Sequence, residues 1–302
     1  MKVQHLRTMN DLSDQTVDLI LAQANKVKES PKKYVTQFEG KTLGLLFEKP
    51  STRTRISFEV GMAQLGGSSF NLNEIKVDGK REEVRDIARV LSRYLDVVVL
   101  RTFDHERIDE FAKYSTIPVI NGLSDLNHPC QALSDLFTIR EKLGLKKNLT
   151  VAYVGDGNNV LYSLMHLFPR KNITMHIATP KQYGPSVKKA PWMRQKPFAK
   201  YLQFFNNPAE AVRGADVIYT DVWVSMGQEK LAQKKIKAFK GFQVNAALLK
   251  KANAGVKVMH CLPCHRGYEI SDEVVEGKHS IVLDQAENRM HVQKAILLKL
   301  VK

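Results

Sequence analysis

FEKPSTRTRISFE (47–59) decides how this chain is built. The apolar run 42–47 ends at Phe47, Pro50 stops it, and Ser51-Thr52-Arg53-Thr54-Arg55 opens a helical stretch, expected over 51–65. A strand that gives way to a helix through a short turn is the unit from which parallel sheets are wound. The helix start has unpaired backbone N–H groups and the positive end of the helix dipole, so it suits an anion. Hydroxyls of Ser51, Thr52 and Thr54, with the planar guanidinium of Arg53, match phosphate oxygens. The same residues also suit a capped helix with solvated arginines. The G-x-x-x-x-G-K pattern of a Walker loop is absent.

Outward from there the alternation continues. A first helix starts behind Ser13 and runs to about Val27. Further strands are expected at 96–100, 150–154, 174–178, 216–219 and 256–259. Helices are expected at 82–94, 104–113, 129–143, 159–168, 208–213 and 286–300. The fold class is therefore α/β, with two doubly wound parallel-sheet domains joined by interdomain helices. Polar KLGLKKN (142–148) is the expected join. The expected domains are 1–142, with the last helix 285–302 packing back on it, and 143–284.

At 302 residues and 43% hydrophobic, the chain can bury two ordinary cores. No apolar run approaches the roughly 20 residues of a membrane span, and the first residues lack a signal-peptide core. Three cysteines make no disulfide framework, so a cytoplasmic setting is expected. The net charge of +15 suits an anionic partner, nucleic acid or phosphate. Much of it is scattered lysine, including Lys234 and Lys235, which reads as solvated surface.

Several other stretches fall where strands end, the place such sheets bind ligands. Arg101 follows the strand Val97-Val98-Val99-Leu100. NHPCQALSDL (127–136) puts His128 at a helix mouth with Gln131 one turn on, where a histidine can donate to a carbonyl oxygen. VAYVGDGNNVLYS (151–163) has Gly155-x-Gly157 but Val160 where a dinucleotide loop needs a third glycine. Asn158 and Asn159 can instead present amides to an amino acid. In TDVWVSMGQE (220–229), Asp221 can hold an ammonium group, with Ser225 and Met226 beside it. MHCLPCHRG (259–267) has metal-ligand chemistry in His260, Cys261, Cys264 and His265, but structural zinc sites usually pair two C-x-x-C knuckles. No metal is expected, and Cys261 is read as a thiol beside a substrate amine.

Together these stretches resemble the aspartate and ornithine carbamoyltransferase family. FEKPSTRTRISFE, DIARVLSRY (86–94), HPCQALSDL, VGDGNN, DVWVSMGQE, HCLP and DQAENRMH (284–291) occur in order along nearly the whole chain. Ser225 to Gly227 and His260 to Pro263 resemble the ornithine branch. The resemblance implies carbamoyl phosphate on the first domain and the amino acid on the second, no cofactor, and a homotrimer with active sites at subunit boundaries. It implies carbamoyl phosphate contacts from Ser51, Thr52, Arg53, Thr54, Arg101, His128, Gln131, Cys261, Leu262 and Arg289. It implies ornithine contacts from Asn159, Asp221, Ser225 and Met226, and catalytic work by Arg101, His128, Asp221 and Cys261. The expected products are L-citrulline and phosphate. Putrescine, aspartate or an acylated ornithine are the alternative acceptors, and a basic nucleic-acid-binding protein on the same scaffold is the alternative class. One departure stands out. Where the ornithine branch usually reads close to Q-L-G-R-G-E, this chain has Val77-Asp78-Gly79-Lys80-Arg81-Glu82, with Lys76 before it.

Overall fold

A computed structural model describes residues 4–72, 74–75, 82–144 and 148–302. The departure at 76–81 lies outside the described residues. The chain divides into two units, Met1–Phe137 with Glu287–Lys302, and Thr138–Ala286.

In the first unit, α1 (Asp14–Glu29) starts where Ser13 Oγ accepts the Thr16 N–H. The other elements are β1 (Thr42–Phe47), α2 (Thr52–Gln64), β2 (Ser68–Asn71), α3 (Val84–Tyr94), β3 (Val97–Arg101), α4 (His105–Tyr114) and β4 (Val119–Leu123). The strands are all parallel, in the order β2-β1-β3-β4. β3 reads Val-Val-Val-Leu-Arg because both faces of a parallel strand are covered, and its first four residues have no exposed surface. Leu46, Val98 and Leu100 pack with Ile87, Leu91, Ile108 and Phe111 of α3 and α4.

α5 (Pro129–Leu143) and α12 (Val282–Leu300) each contain one boundary between the units. Between them come β5 (Thr150–Val154), α6 (Asn159–Leu167), β6 (Thr174–Ala178), α7 (Phe198–Tyr201), β7 (Leu202–Phe205), α8 (Pro208–Ala211), β8 (Val217–Thr220), α9 (Ala232–Ala238), α10 (Ala246–Leu249), β9 (Lys257–His260) and α11 (Asp272–Val275). This sheet is also parallel, in the order β7-β6-β5-β8-β9.

Three strands escape the sequence reading. β4 contains Asn121-Gly122, which reads as a turn signal. Gly122 is there for a different reason: a Cβ on it would lie 2.9 Å from Val99 Cγ1 of the neighbouring strand. β2 is a largely exposed edge strand, and β7 is a four-residue edge strand behind a single-turn helix. Among the described residues, no helix is long and apolar enough to cross a membrane.

Strand order reverses between β1 and β3 in one sheet and between β5 and β8 in the other. Crevices at such switch points, beyond the carboxyl ends of the strands, are where doubly wound sheets bind ligands. The residues that follow β1 and β3, and those that follow β5 and β8, therefore locate one candidate half-site in each unit.

Candidate functional site: two half-sites at the strand switch points

In the first unit, four residues separate β1 from α2, and the last of them, Ser51, is the N-cap residue in extended backbone (φ −155°, ψ 102°). The Ser51 hydroxyl does not turn back to cap the helix. The first N–H groups of α2, which have no intrahelical partner, point out of that end together with the dipole. Thr52 is exposed, Ser51 and Arg53 are half-buried, and Thr54 is buried. Arg289, on the part of α12 that belongs to this unit, donates from Nη2 to Thr54 Oγ1 at 2.7 Å.

Arg101 ends β3 and His128 precedes α5, and both are buried, as is Arg289. Burial holds the His128 imidazole well below its ordinary pKa, and the nearby Arg289 and Arg101 cations push the same way. A neutral ring can offer one N–H as a donor without adding a third cation. Gln131, fully buried one turn into α5, donates from Nε2 to Asp135 Oδ1 at 2.8 Å. Its Oε1 is buried with no hydrogen-bond partner among the described residues, so it can accept from a ligand amide. Cys130 beside it is no nucleophile. Burial pushes its thiol up to about 12, and Sγ donates to the Asn121 carbonyl at 3.5 Å. Five of the predicted residues, Thr54, Arg101, His128, Gln131 and Arg289, are thus buried polar groups of one unit.

The second half-site has the opposite chemistry. Asn158, the N-cap of α6, accepts the Val160 and Leu161 N–H groups through Oδ1, each at 3.1 Å. Its Nδ2 donates to Asp221 Oδ2 at 2.6 Å. The other oxygen of Asp221 accepts the Cys261 S–H at 3.0 Å. β5, β8 and β9 thereby deliver an amide, a carboxylate and a thiol to one point. Asn159 is half-buried at the first position of α6. Ser225 is half-buried and Met226 is 47% exposed, on the turn that follows Asp221.

The HCLP segment is held from beneath. His260 Nδ1 accepts the Leu262 N–H at 2.9 Å, so the ring proton is on Nε2, 3.1 Å from Glu269 Oε1. The same Glu269 oxygen accepts the His265 N–H at 2.5 Å, and Glu269 has no exposed surface. Leu262 sits at φ +55°, a left-handed conformation that costs a branched residue roughly 1–3 kcal/mol. The hydrogen bond to His260 is what holds it there. Ligand atoms of Asp221, His260 and Cys261 lie within 4.8 Å of one another. Both imidazole nitrogens are already engaged, which removes His260 as a ready metal ligand. Cys264 packs on the apolar cluster around Trp223 and Ile270.

The glycines of VGDGNN serve the backbone rather than a pyrophosphate. A Cβ on Gly157 would lie 2.6 Å from Tyr183 O, and the Gly157 N–H donates to that oxygen at 2.8 Å. Sequence reasoning missed Glu269, Asp156 and Lys235. It placed Lys235 among surface lysines, whereas Lys235 is 3% exposed and donates to Asp156 Oδ2 at 2.6 Å. A single lysine in a lysine-rich run gives no signal of which one turns inward.

Comparison with known proteins identifies relatives for both parts of the chain. Residues 4–141 match the family model "Aspartate/ornithine carbamoyltransferase, carbamoyl-P binding domain", and residues 147–300 match its "Asp/Orn binding domain". An ornithine carbamoyltransferase of Archaeoglobus fulgidus is 52% identical over 305 residues, covering 99% of this chain and 97% of that one. The ornithine carbamoyltransferase structure from Pyrococcus furiosus superposes with a TM-score of 0.92 at 46% identity, covering 99% and 96% of the two chains. The anabolic ornithine carbamoyltransferase structure from Campylobacter jejuni gives 0.92 at 38% identity, with 98% of each chain covered.

Proposed function

This chain belongs to the aspartate/ornithine carbamoyltransferase family, and from that premise we propose that it moves the carbamoyl group of carbamoyl phosphate to the δ-amine of L-ornithine, releasing L-citrulline and phosphate. The observation that carries the acceptor is the Asp221 carboxylate fixed by Asn158 and Cys261 at the carboxyl ends of the second sheet. It offers an ammonium-bearing amino acid a single anion with neutral partners.

Carbamoyl phosphate is assigned to the first unit. The α2 N-terminus, Ser51, Thr52, Arg53 and Thr54 bind its phosphate. Arg101 and His128 donate to the carbonyl oxygen, Arg289 holds Thr54 and adds charge, and Gln131 Oε1 accepts from the carbamoyl NH₂. Ornithine is assigned to the second unit, with Asn159, Ser225 and Met226 on its α-amino and carboxylate groups, and Asp221 and Cys261 orienting its amine. Leu262 supplies backbone beside the ornithine amine.

The neutral amine attacks the carbonyl carbon and forms a tetrahedral oxyanion. The bond from carbon to the bridging oxygen then breaks, phosphate takes the electron pair, and the proton from the amine nitrogen passes to the departing phosphate. One oxyanion donor is typically worth about 3–4 kcal/mol. Holding both reactants in place removes much of the remaining entropic barrier.

The catalytic unit is assigned as a trimer. Exposed apolar side chains on the first unit, among them Ile56, Val60, Phe70, Val90 and Tyr94, support an assembly. Light scattering after size exclusion should give three times the 34.2 kDa chain mass.

The function is tested by offering carbamoyl phosphate with ornithine, putrescine, aspartate or N-acetylornithine, and identifying the product by mass. Citrulline should form with the highest kcat/KM. A higher value for any other amine would overturn the acceptor assignment.

A further inference from the structure

Lys235 is the residue of α9 whose ammonium turns into the protein. It donates to Asp156 Oδ2 at 2.6 Å and to Gln228 Oε1 at 2.7 Å, and lies 5.3 Å from the centre of the Tyr183 ring. These partners come from three different loops: the one after β5, the one after β8, and the one after β6. The Gly157 backbone bond to Tyr183 O ties two of them together a second time. The loops after β5 and β8 carry Asn159 and Asp221, Ser225 and Met226, the four residues assigned to ornithine.

Burying an ammonium is costly unless it is well paired, and an apolar side chain would fill the same volume more cheaply. What the ammonium adds is direction and charge. It fixes the carboxamide of Gln228, three residues from Ser225, against Asp156, two residues before Asn158. It also settles which carboxylate stays free to meet a cation. Burial pushes the Asp156 carboxyl up despite Lys235, and Asp221 nearby pushes it further. With Lys235 in place, Asp156 has a cation of its own, while the donors to Asp221 are all neutral: the Asn158 amide, the Cys261 thiol and the Val222 backbone N–H.

We propose that Lys235 is a positioning residue that sets ornithine affinity, by clamping the loops after β5 and β8 and by neutralising Asp156 so that Asp221 is the carboxylate left for the substrate's ammonium group. This rests on the second unit being the ornithine half-site.

The test uses the full-length enzyme, with steady-state citrulline formation and calorimetry of carbamoyl phosphate. Lys235→Met should raise KM for ornithine roughly 30-fold, with kcat changed less than about threefold and carbamoyl phosphate affinity within about twofold. Lys235→Arg, which keeps charge and reach, should return KM to within about fivefold of the parent. Gln228→Leu leaves the Lys235–Asp156 pair in place and should raise KM by about three- to fivefold. If Lys235→Met fails to fold, Gln228→Leu and Lys235→Arg decide the matter. The proposal is overturned by a folded Lys235→Met with unchanged ornithine KM, by an equal loss for both substrates, or by an unchanged KM in Gln228→Leu. Failure of the underlying reading looks different, because the unaltered enzyme would then form no citrulline at all.

Discussion

The two units solve opposite recognition problems, and their net charges point the wrong way for both. The first unit has 23 basic against 20 acidic residues, a formal +3, yet it is assigned a phosphate ester. The second has 23 against 11, a formal +12, yet it is assigned an amino acid with two ammonium groups. Net charge therefore does not choose the ligand. Salt screens exposed lysines within about 8 Å at physiological ionic strength, whereas buried donors at a strand end act at contact distance. In the first unit, Arg101, Arg289 and a helix N-terminus make a local positive site inside a nearly neutral body. In the second, Asp221 makes a local negative site inside a strongly basic one. The amide and the thiol on its two oxygens neutralise nothing.

The sharpest way to break this comparison is to remove one local charge on each side. Arg53→Ala should lower kcat/KM by about 10³-fold or more and weaken carbamoyl phosphate binding, with the circular dichroism spectrum unchanged. Unchanged calorimetric affinity would mean that the phosphate is not held at the α2 N-terminus. Asp221→Asn should lower kcat/KM for ornithine by roughly 10²-fold while carbamoyl phosphate affinity stays within about twofold. If that substitution instead damaged carbamoyl phosphate binding, the division of labour between the units would fail.

The half-sites also differ in how far the sequence discloses them. The first is local: Pro50, Ser51 and Arg53 fall within four residues at a strand-to-helix turn, so periodicity and turn chemistry find it. Arg101 follows because it ends the apolar run 97–100, and His128 follows because Pro129 marks the helix that starts behind it. The second is assembled from contacts across 63, 40 and 79 residues, namely Asn158 to Asp221, Asp221 to Cys261, and Asp156 to Lys235. No local pattern encodes those pairings. The family motifs marked Asp221 and Cys261 as important, but nothing marked the inward lysine or Glu269. β4 stayed hidden for a related reason. Its Asn-Gly looks like a turn until the neighbouring strand shows that only a glycine fits at 122.

A third prediction separates the two substrates by pH. Free ornithine side chains ionise near about 10.4, so the attacking neutral amine grows scarcer by about tenfold for each pH unit below that. From pH 6 to 9, kcat/KM for ornithine should climb by at least about tenfold, while the calorimetric affinity for carbamoyl phosphate changes far less. A flat profile would remove free-amine attack from the slow step, and with it the role given to Asp221 and Cys261.

The smallest expected effect concerns His128 and bears on the charge of the first half-site. Its folded pKa is held well below the ordinary value by burial, with Arg289 and Arg101 adding to the depression. A histidine in the unfolded chain titrates near about 6.5. Below that pH the unfolded state binds a proton that the folded state refuses, so stability falls as pH falls, by up to about 1.4 kcal/mol per unit for such a group. Above about 6.5 the contribution is fully present. His105 and His291 are shifted in the same direction, so the parent protein shows a combined slope, and His128→Gln should reduce it without abolishing it. Urea unfolding at pH 7.5 and 5.5 measures the difference. Identical slopes in parent and variant would mean that His128 carries a proton in the folded protein. The first half-site would then hold an imidazolium beside two guanidinium groups, and its donor to the carbamoyl oxygen would be a cation rather than a neutral ring.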